Sequence, residues 1–498
     1  MSVSRLQPCI QLPLSEDVLR ESVDKAKDWT LMHGISVRSK KQFSRDQIQV
    51  LPFTLLPSSF PRKCFKSVKN VQTLLNRLVH RVAYDREFIT NSLRSTIQAD
   101  PFTAKLFQIY ETVYNEGFSQ NISLGLLRSD YLLHGSLSDE IKQVEINTIA
   151  SSFAGISTAV SEYHKQVSNT KNCVSMNSFR YILAELGHAK EADDIPDNNA
   201  LTGFCEGLVY AWRLYNDEEA IILFVVEDVT YNICDQRFHE FKIRQINPKI
   251  KIIRRSLTSL ASGGLNLGQN KELIVANQRV AVVYYRSGYE LEAYPTEKEW
   301  DVRLLIERSR AIKCPSVQYH LAGTKKVQQS LAQSSVLKNF LEDEESVAKV
   351  REVFTGLYTL DFNDDGERAV AMGIKEPNRF VLKPQREGGG NNVYNDEIRT
   401  RLDSMKDSQE RTAWILMDRI FPALQTNYLI RAAEEPSRDN VDLSDVVTEL
   451  GIYGVIVGDS NQIMLNEEVG HILRTKLASE DEGGIVAGVG AIDSPYLI

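Results

Sequence analysis

The chain of 498 residues has only six cysteines, at 9, 64, 173, 205, 234 and 314. None forms a C-x-x-C pair, so neither a zinc ribbon nor a disulfide framework is expected, and a reducing cytoplasm is the simplest compartment. No run of 18 apolar residues occurs, so a transmembrane helix is not expected. The segment Met1 to Glu16 mixes polar residues with prolines and has no apolar signal-peptide core. Basic charge is in deficit: the net charge is −8, which repels nucleic acid and anionic membrane, and Lys325-Lys326 is too short a cluster to reverse that. There is no G-x-x-x-x-G-K-[ST] P-loop, and Gly484-x-x-x-Gly488-x-Gly490 is not the spacing of a dinucleotide fingerprint. Internal repeats and long low-complexity tracts are also missing.

What is present is the composition of a globular protein, 42% hydrophobic and 25% charged. The length suggests about three structural units. The first 120 residues read mainly as helix, over 15–29, 68–82, 85–98 and 103–115, with Asp100-Pro101 separating the last two. Gln143-Val-Glu-Ile-Asn147 alternates as a short strand. From about 220 the pattern changes. Ala220-Ile-Ile-Leu-Phe-Val-Val226 is a continuous apolar run, as in a strand covered on both faces, and further strands at 250–253 and 279–286 follow a helix at 235–245. A helical stretch is expected over 327–358, and strands at 379–383, 414–417, 447–457 and 461–466. Pro436 to Asn440 reads as a surface loop.

The most informative segment is Lys383-Pro-Gln-Arg-Glu387-Gly388-Gly389-Gly390-Asn391-Asn392. Glycines let backbone N–H groups approach an anion, and successive N–H groups form an anion-binding concavity. Lys383 adds a cation and Glu387 a carboxylate, a combination suited to a nucleoside triphosphate with Mg²⁺. The bland alternative is a flexible surface turn. Strand period places Phe380 and Leu382 toward a core and Lys383 toward a cleft. The same period places Val144 and Ile146 inward and Glu145 and Asn147 together on the other face, as two hard oxygen donors of the kind Mg²⁺ prefers; an amphipathic strand with a solvated face reads equally from those residues. A small-residue turn, Ala150, Ser151, Ser152 and Gly155, follows. Trp414-Ile-Leu-Met417-Asp418 offers apolar walls and backbone amides for a base. Arg474 and Lys476 share a strand face, a guanidinium for carboxylate and a point charge for phosphate. A second glycine-rich loop covers 483–490.

Taken in order, Leu127-Arg128-Ser-Asp-Tyr131, Glu145-Ile-Asn147-Thr, Asn232-Ile-Cys-Asp-Gln236-Arg, Val283-Tyr-Tyr-Arg286-Ser-Gly-Tyr289, Leu321-Ala-Gly-Thr-Lys325-Lys-Val-Gln, the 383–392 loop, Glu449-Leu-Gly-Ile-Tyr-Gly and Leu473-Arg474-Thr-Lys476 make a pattern. It runs over nearly the whole chain and resembles the eukaryotic glutathione synthetase family, within the ATP-grasp carboxylate–amine ligases. The resemblance implies a mixed α+β and α/β fold with an ATP-grasp main domain. Its helical N-terminal part would cover 1–215, an open α/β substrate-binding subdomain 216–322, and an ATP-grasp part 323–498, with a lid near 384–412.

By the same resemblance, Lys325 and Lys383 would hold ATP phosphates under the Gly388, Gly389, Gly390, Asn391 and Asn392 loop. Glu145, Asn147 and Glu387 would hold two Mg²⁺ ions. Tyr394, Met417, Asp418, Ile420, Glu449, Lys476 and Glu482 would line the nucleotide site. Arg128, Ala150, Ser151, Ser152, Asn232, Gln236, Arg286, Ser287, Tyr289, Arg474, Ile485 and Val486 would meet γ-glutamylcysteine and glycine. Arg128, Lys383, Glu387 and Arg474 would serve catalysis. A homodimer is also implied. Ala150, Ser287, Asp418 and Val486 depart from the vertebrate pattern, while the metal and phosphate residues keep it. The alternatives are another ATP-grasp amino-acid ligase, which Arg286 and Tyr289 argue against, and a non-catalytic nucleotide-binding scaffold, which the retained acidic ligands argue against.

Overall fold

Apolar periodicity in the first hundred residues produces helices that bury one face each. The computed structural model describes residues 5–135, 140–165, 194–333, 335–386, 390–432, 441–485 and 489–498. Glu387, Gly388, Gly389 and Val486, and the expected loop at 436–440, lie outside these residues. Helix α1 (Glu16–Met32) carries Glu16 and Asp17 in its first turn, favourable at a helix N-terminus. Helix α2 (Arg62–Ala83) buries Val68, Val71, Leu75, Leu78 and Val82. Asp85 and Asp100 accept from Phe88 N and Thr103 N and so start α3 (Arg86–Leu93) and α4 (Pro101–Glu116), where the expected break at Asp100-Pro101 falls.

Two strands then matter most. Strand β1 (Ser123–His134) is nearly all buried, and β2 (Glu140–Asn147) pairs with it antiparallel. After helices α5 (Ala154–His164) and α6 (Ala200–Tyr215) come β3 (Ile221–Val225), α7 (Ile233–Ile246), β4 (Ile252–Arg255), β5 (Gln278–Tyr285) and β6 (Ile312–Cys314). Strands β3 to β6 pair in parallel. Ile221, Leu223 and Val225 enter one core and Ile222 and Phe224 another, as the uninterrupted apolar run requires.

The expected helix over 327–358 is broken. It becomes α8 (Lys325–Leu331), a 3₁₀ turn at Val336–Asn339, a helix at Glu344–Val353 and a strand, β7 (Leu357–Thr359). Asp343 accepts from Ser346 N and starts a fresh helix mid-stretch, which overrides the apolar spacing. Strand β7 joins β8 (Phe380–Pro384) and β9 (Trp414–Asp418) in a separate antiparallel sheet in the order β7-β9-β8. Phe380, Leu382 and Leu416 share a small core with Ile398, Leu402 and Met405 of the flanking helix α9 (Asp396–Met405).

The C-terminal part returns to the large sheet through β10 (Gln425–Ile430), the long hairpin β11 (Leu443–Gly458) and β12 (Ile463–Leu477), and β13 (Gly490–Asp493). Strand β11 pairs with β1 along residues 449–458, so β1 is central. The other edge of β1 is shared. Ser123 pairs with Lys313 of β6, whereas Arg128 to His134 pair with β2. The sheet therefore forks along β1 into a parallel branch and an antiparallel one. Helix α2 buries Leu75 fully in the core that also takes Leu127, Leu450 and Leu473 from the sheet. Leu75→Ala is expected to cost about 2–5 kcal/mol. Chemical denaturation checks this as a lower midpoint with an unchanged slope.

Candidate active site

Strand alternation across β2, β1, β11 and β12 sends one set of side chains to a common face. Asn147 lies opposite Arg128, and Arg128 opposite Tyr453. Asp130 lies between Glu145 and Gly451, and Glu449 between Leu132 and Arg474. This face borders a cavity of about 910 Å³, which Lys325, Lys383, Met417, Arg286 and Tyr289 also line. Ile146 packs inward as expected, but Val144 does not. The register of β1 and β2 slips between Asp130 and Tyr131, leaving Val144 as an extra residue that borders the cavity.

Burial opposes ionisation of Glu145, yet Lys325, Lys383, Arg474 and Arg128 together hold its carboxyl well below the usual range. Lys325 Nζ stands 3.8 Å away, beyond hydrogen-bond distance, and no donor among the described residues reaches the carboxylate. Asn147 Nδ2 donates to Asp130 Oδ2 at 2.9 Å and to Arg128 O at 3.3 Å. Two acceptors fix the amide orientation, so Oδ1 is the atom left for a cation. Glu145 and Asn147 thus present hard oxygen donors that fit Mg²⁺. Among the described residues no three acids or histidines converge as a metal cluster.

The two lysines come from different elements. Lys325 opens α8 and donates to Arg386 O at 2.7 Å; Lys383 lies on β8 and donates to Val144 O at 3.1 Å. Gln328, one turn after Lys325, accepts from Ile146 N at 2.8 Å and donates to Ile146 O at 3.1 Å, which ties α8 to the strand between Glu145 and Asn147. Lys326 is buried on Thr359 Oγ1 and Asp361, so the Lys325-Lys326 pair is not a surface patch. Met417 faces Val381 across β8 and β9, and with Ile420 and Tyr394 makes the apolar wall. Asp418 borders the cavity, but its carboxylate accepts from Tyr358 Oη at 3.1 Å.

The turn after β2 holds Ala150 at φ 47° and Phe153 at φ 73°, left-handed values that non-glycine residues rarely adopt. Asp235 secures it, accepting from Phe153 N and from Arg286 Nη2, each at 2.9 Å. Arg286 Nη2 also donates to Ser152 Oγ at 3.0 Å. Ala150, Ser152, Asn232, Ser287 and Tyr289 border the cavity, and Asn232 Oδ1 is buried with no donor among the described residues. Two expected substrate residues sit elsewhere. Ser151 Oγ donates to Leu126 O, and the Gln236 amide is engaged by Glu227 and Arg254. Neither borders the cavity.

Of the residues expected near the nucleotide or the second glycine-rich loop, Lys476, Glu482 and Ile485 line the cavity, as does Asn392, while Gly390 and Asn391 do not. Gly390 N donates to Glu482, and Asn392 N donates to Glu482 Oε1 at 3.1 Å. The loop N–H groups thus hold a carboxylate. Sequence reading gives no role to Asp130, Asp235 or Gln328, although each stands inside one of the motifs. The available signal is period two for Arg128 and Asp130.

Burial pushes the Lys383 ammonium below its ordinary range, against the pull of Glu145. A bound triphosphate favours the charged amine and raises that value. Binding at a pH where part of the free amine is neutral should therefore take up a proton. Calorimetry in buffers of different ionisation enthalpy reads this directly, and Lys383→Arg should abolish the uptake, since guanidinium stays charged.

With this geometry in place, the chain matches the family model described as the ATP-binding domain of eukaryotic glutathione synthase over residues 16–497. It is 40% identical over 485 residues to glutathione synthetase of Xenopus laevis, covering 97% of each chain. The Homo sapiens glutathione synthetase is 40% identical, with 97% of this chain and 96% of that one covered. A Solanum lycopersicum protein named as chloroplastic glutathione synthetase is 40% identical over 90% of this chain and 78% of its own length. The fold is shared with a glutathione synthetase-like effector from Globodera pallida, with a TM-score of 0.74 at 24% identity, covering 98% of this chain and 99% of that one. The chain belongs to the eukaryotic glutathione synthase family.

Proposed function

We propose that this chain joins γ-glutamylcysteine to glycine at the expense of ATP, giving glutathione, ADP and phosphate. The observation that carries this reading is one cavity lined by two buried lysines beside an ionised Glu145 and by two arginines, Arg128 and Arg474. The cysteinyl carboxylate oxygen attacks the γ-phosphorus, the bond to the β-phosphate oxygen breaks, and ADP leaves. The glycine nitrogen then attacks the acyl carbon and loses a proton as the bond to the phosphate oxygen breaks. A carboxylate is a poor electrophile, so phosphorylation supplies the leaving group.

Lys325 and Lys383 take the phosphates, exchanging the carbonyls of Arg386 and Val144 for phosphoryl oxygens. Glu145 and Asn147, with Glu387, would hold Mg²⁺, which when bound neutralises charge on the phosphate oxygens. Met417, Ile420 and Tyr394 enclose the base, with Glu449, Lys476 and Glu482 beside it. By the family resemblance, the loop of Gly388, Gly389, Gly390, Asn391 and Asn392 would cover the phosphates. Arg128 stabilises the tetrahedral intermediate, Arg474 grips the glycine carboxylate, and Ser152, Asn232, Arg286 and Tyr289 hold the dipeptide. Units at 1–215, 216–322 and 323–498, a homodimer and a cytoplasmic location complete the proposal.

The deciding assay is ADP release with both substrates, against each omitted alone. Turnover that needs both supports the reading; ADP release indifferent to glycine would overturn it. Glycine should also be preferred over β-alanine. Ile485 is buried against the cavity, and one more methylene between carboxylate and amine misplaces the nucleophile. The discrimination should be about 10–200-fold, read by competing the two amines at equal concentration and weighing the products.

A further inference from the structure

Asp130 is fully buried, and its carboxylate gathers groups from three strands. Oδ1 accepts from Arg128 Nε at 2.7 Å, and Oδ2 accepts from Arg128 Nη2 at 2.8 Å, Asn147 Nδ2 at 2.9 Å and Arg474 Nη2 at 2.8 Å. The first two form a bidentate fork, which fixes the plane of the guanidinium as well as its position. The third fixes which atom of the Asn147 amide is left for a cation. The fourth holds Arg474, whose Nη2 also donates to Glu449.

A second observation comes from the neighbouring strand. Gly451 lies opposite Asp130 in β11. Its backbone is not left-handed, so conformation does not demand glycine there. Space does. A Cβ at 451 would stand 2.8 Å from Asp130 Oδ1, 2.9 Å from Arg128 Cδ and 2.7 Å from Ile472 Cγ2. A strand interior is weakened by glycine. Here the missing side chain is the room that the Asp130–Arg128 fork occupies.

We infer that Asp130 is a positioning residue that sets Arg128, Arg474 and Asn147 in one register, and that Gly451 supplies the clearance for it. The inference rests on the proposed assignment of Arg128 and Arg474 to the two substrates. The phosphate lysines make no bond to Asp130, so the part of nucleotide binding that does not need Mg²⁺ should be spared.

The test compares Asp130→Asn and Gly451→Ala with the unmodified chain. Asparagine keeps the shape but turns an N–H₂ toward arginine donors; alanine changes no polar group and only fills the clearance. Both should lower turnover by about a hundredfold, the scale of a small misplacement at a reacting centre. Both should raise KM for glycine and for the dipeptide, with the Kd of nucleotide measured without Mg²⁺ within about twofold of the unmodified chain. A purely architectural role would instead lower Tm while the folded fraction kept ordinary KM values, and that result overturns the inference. So does parallel loss of nucleotide affinity in the absence of Mg²⁺. Should Asp130→Asn fail to fold, Gly451→Ala alone decides by the same KM and Kd readings. An unmodified chain that ligates nothing sinks the functional reading itself, and this inference with it.

Discussion

Arg128, Asp130, Glu145, Glu449 and Arg474 lie on one face of a sheet whose opposite face sends Leu127, Tyr131, Ile146, Leu450 and Leu473 into an apolar core. Each of these charges has to be answered within the protein. Arg128 and Asp130 are buried, so removing either leaves the other an uncompensated buried ion, at a cost of about 3–5 kcal/mol. The answer here is a shared one. Asp130 and Glu449 together meet Arg128 and Arg474. Glu145 is met by lysines from outside the sheet. A site built this way is oriented before ligand arrives, and preorganised charge is what stabilises developing charge in a transition state.

The fork in the sheet explains how distant segments reach that face. Strand β1 gives its early residues to β6 and its later ones to β2. The parallel branch ends near Arg286, and the helix after β3 brings Asn232 and Asp235 to the same place. The small sheet brings Lys383 and Met417, and α8 brings Lys325. Gln328 hydrogen-bonds both backbone groups of Ile146, so its amide stands in for a neighbouring strand at the free edge of β2. That contact sets the separation of Lys325 from Glu145.

Much of this is legible in the sequence, and the reason is periodicity. Alternation with Phe380 and Leu382 places Lys383 in a cleft, and both of those apolar residues are fully buried. The same rule pairs Glu145 with Asn147. It fails at Val144, because period two does not announce a bulge. Apolar spacing over 327–358 conceals the cap at Asp343, a local hydrogen bond that ends one element and begins another. Gln236 lies in the right motif, yet its amide bonds Glu227 and Arg254, partners distant enough that no spacing reveals them. Family resemblance names positions; it does not say which way a side chain turns.

The cavity residues proposed for the nucleotide already have partners within the protein. Lys325 and Lys383 already hold backbone carbonyls, and Gly390 and Asn392 already hold the Glu482 carboxylate. On the proposed assignment a triphosphate would exchange these bonds for others, and an exchanged hydrogen bond contributes only about 0.5–1.5 kcal/mol net. What has no protein substitute is a donor for Glu145, whose oxygens meet none among the described residues. On the same assignment the balance of charge around Glu145, which Lys325 and Lys383 set, is the term that a nucleotide with its cation would change most.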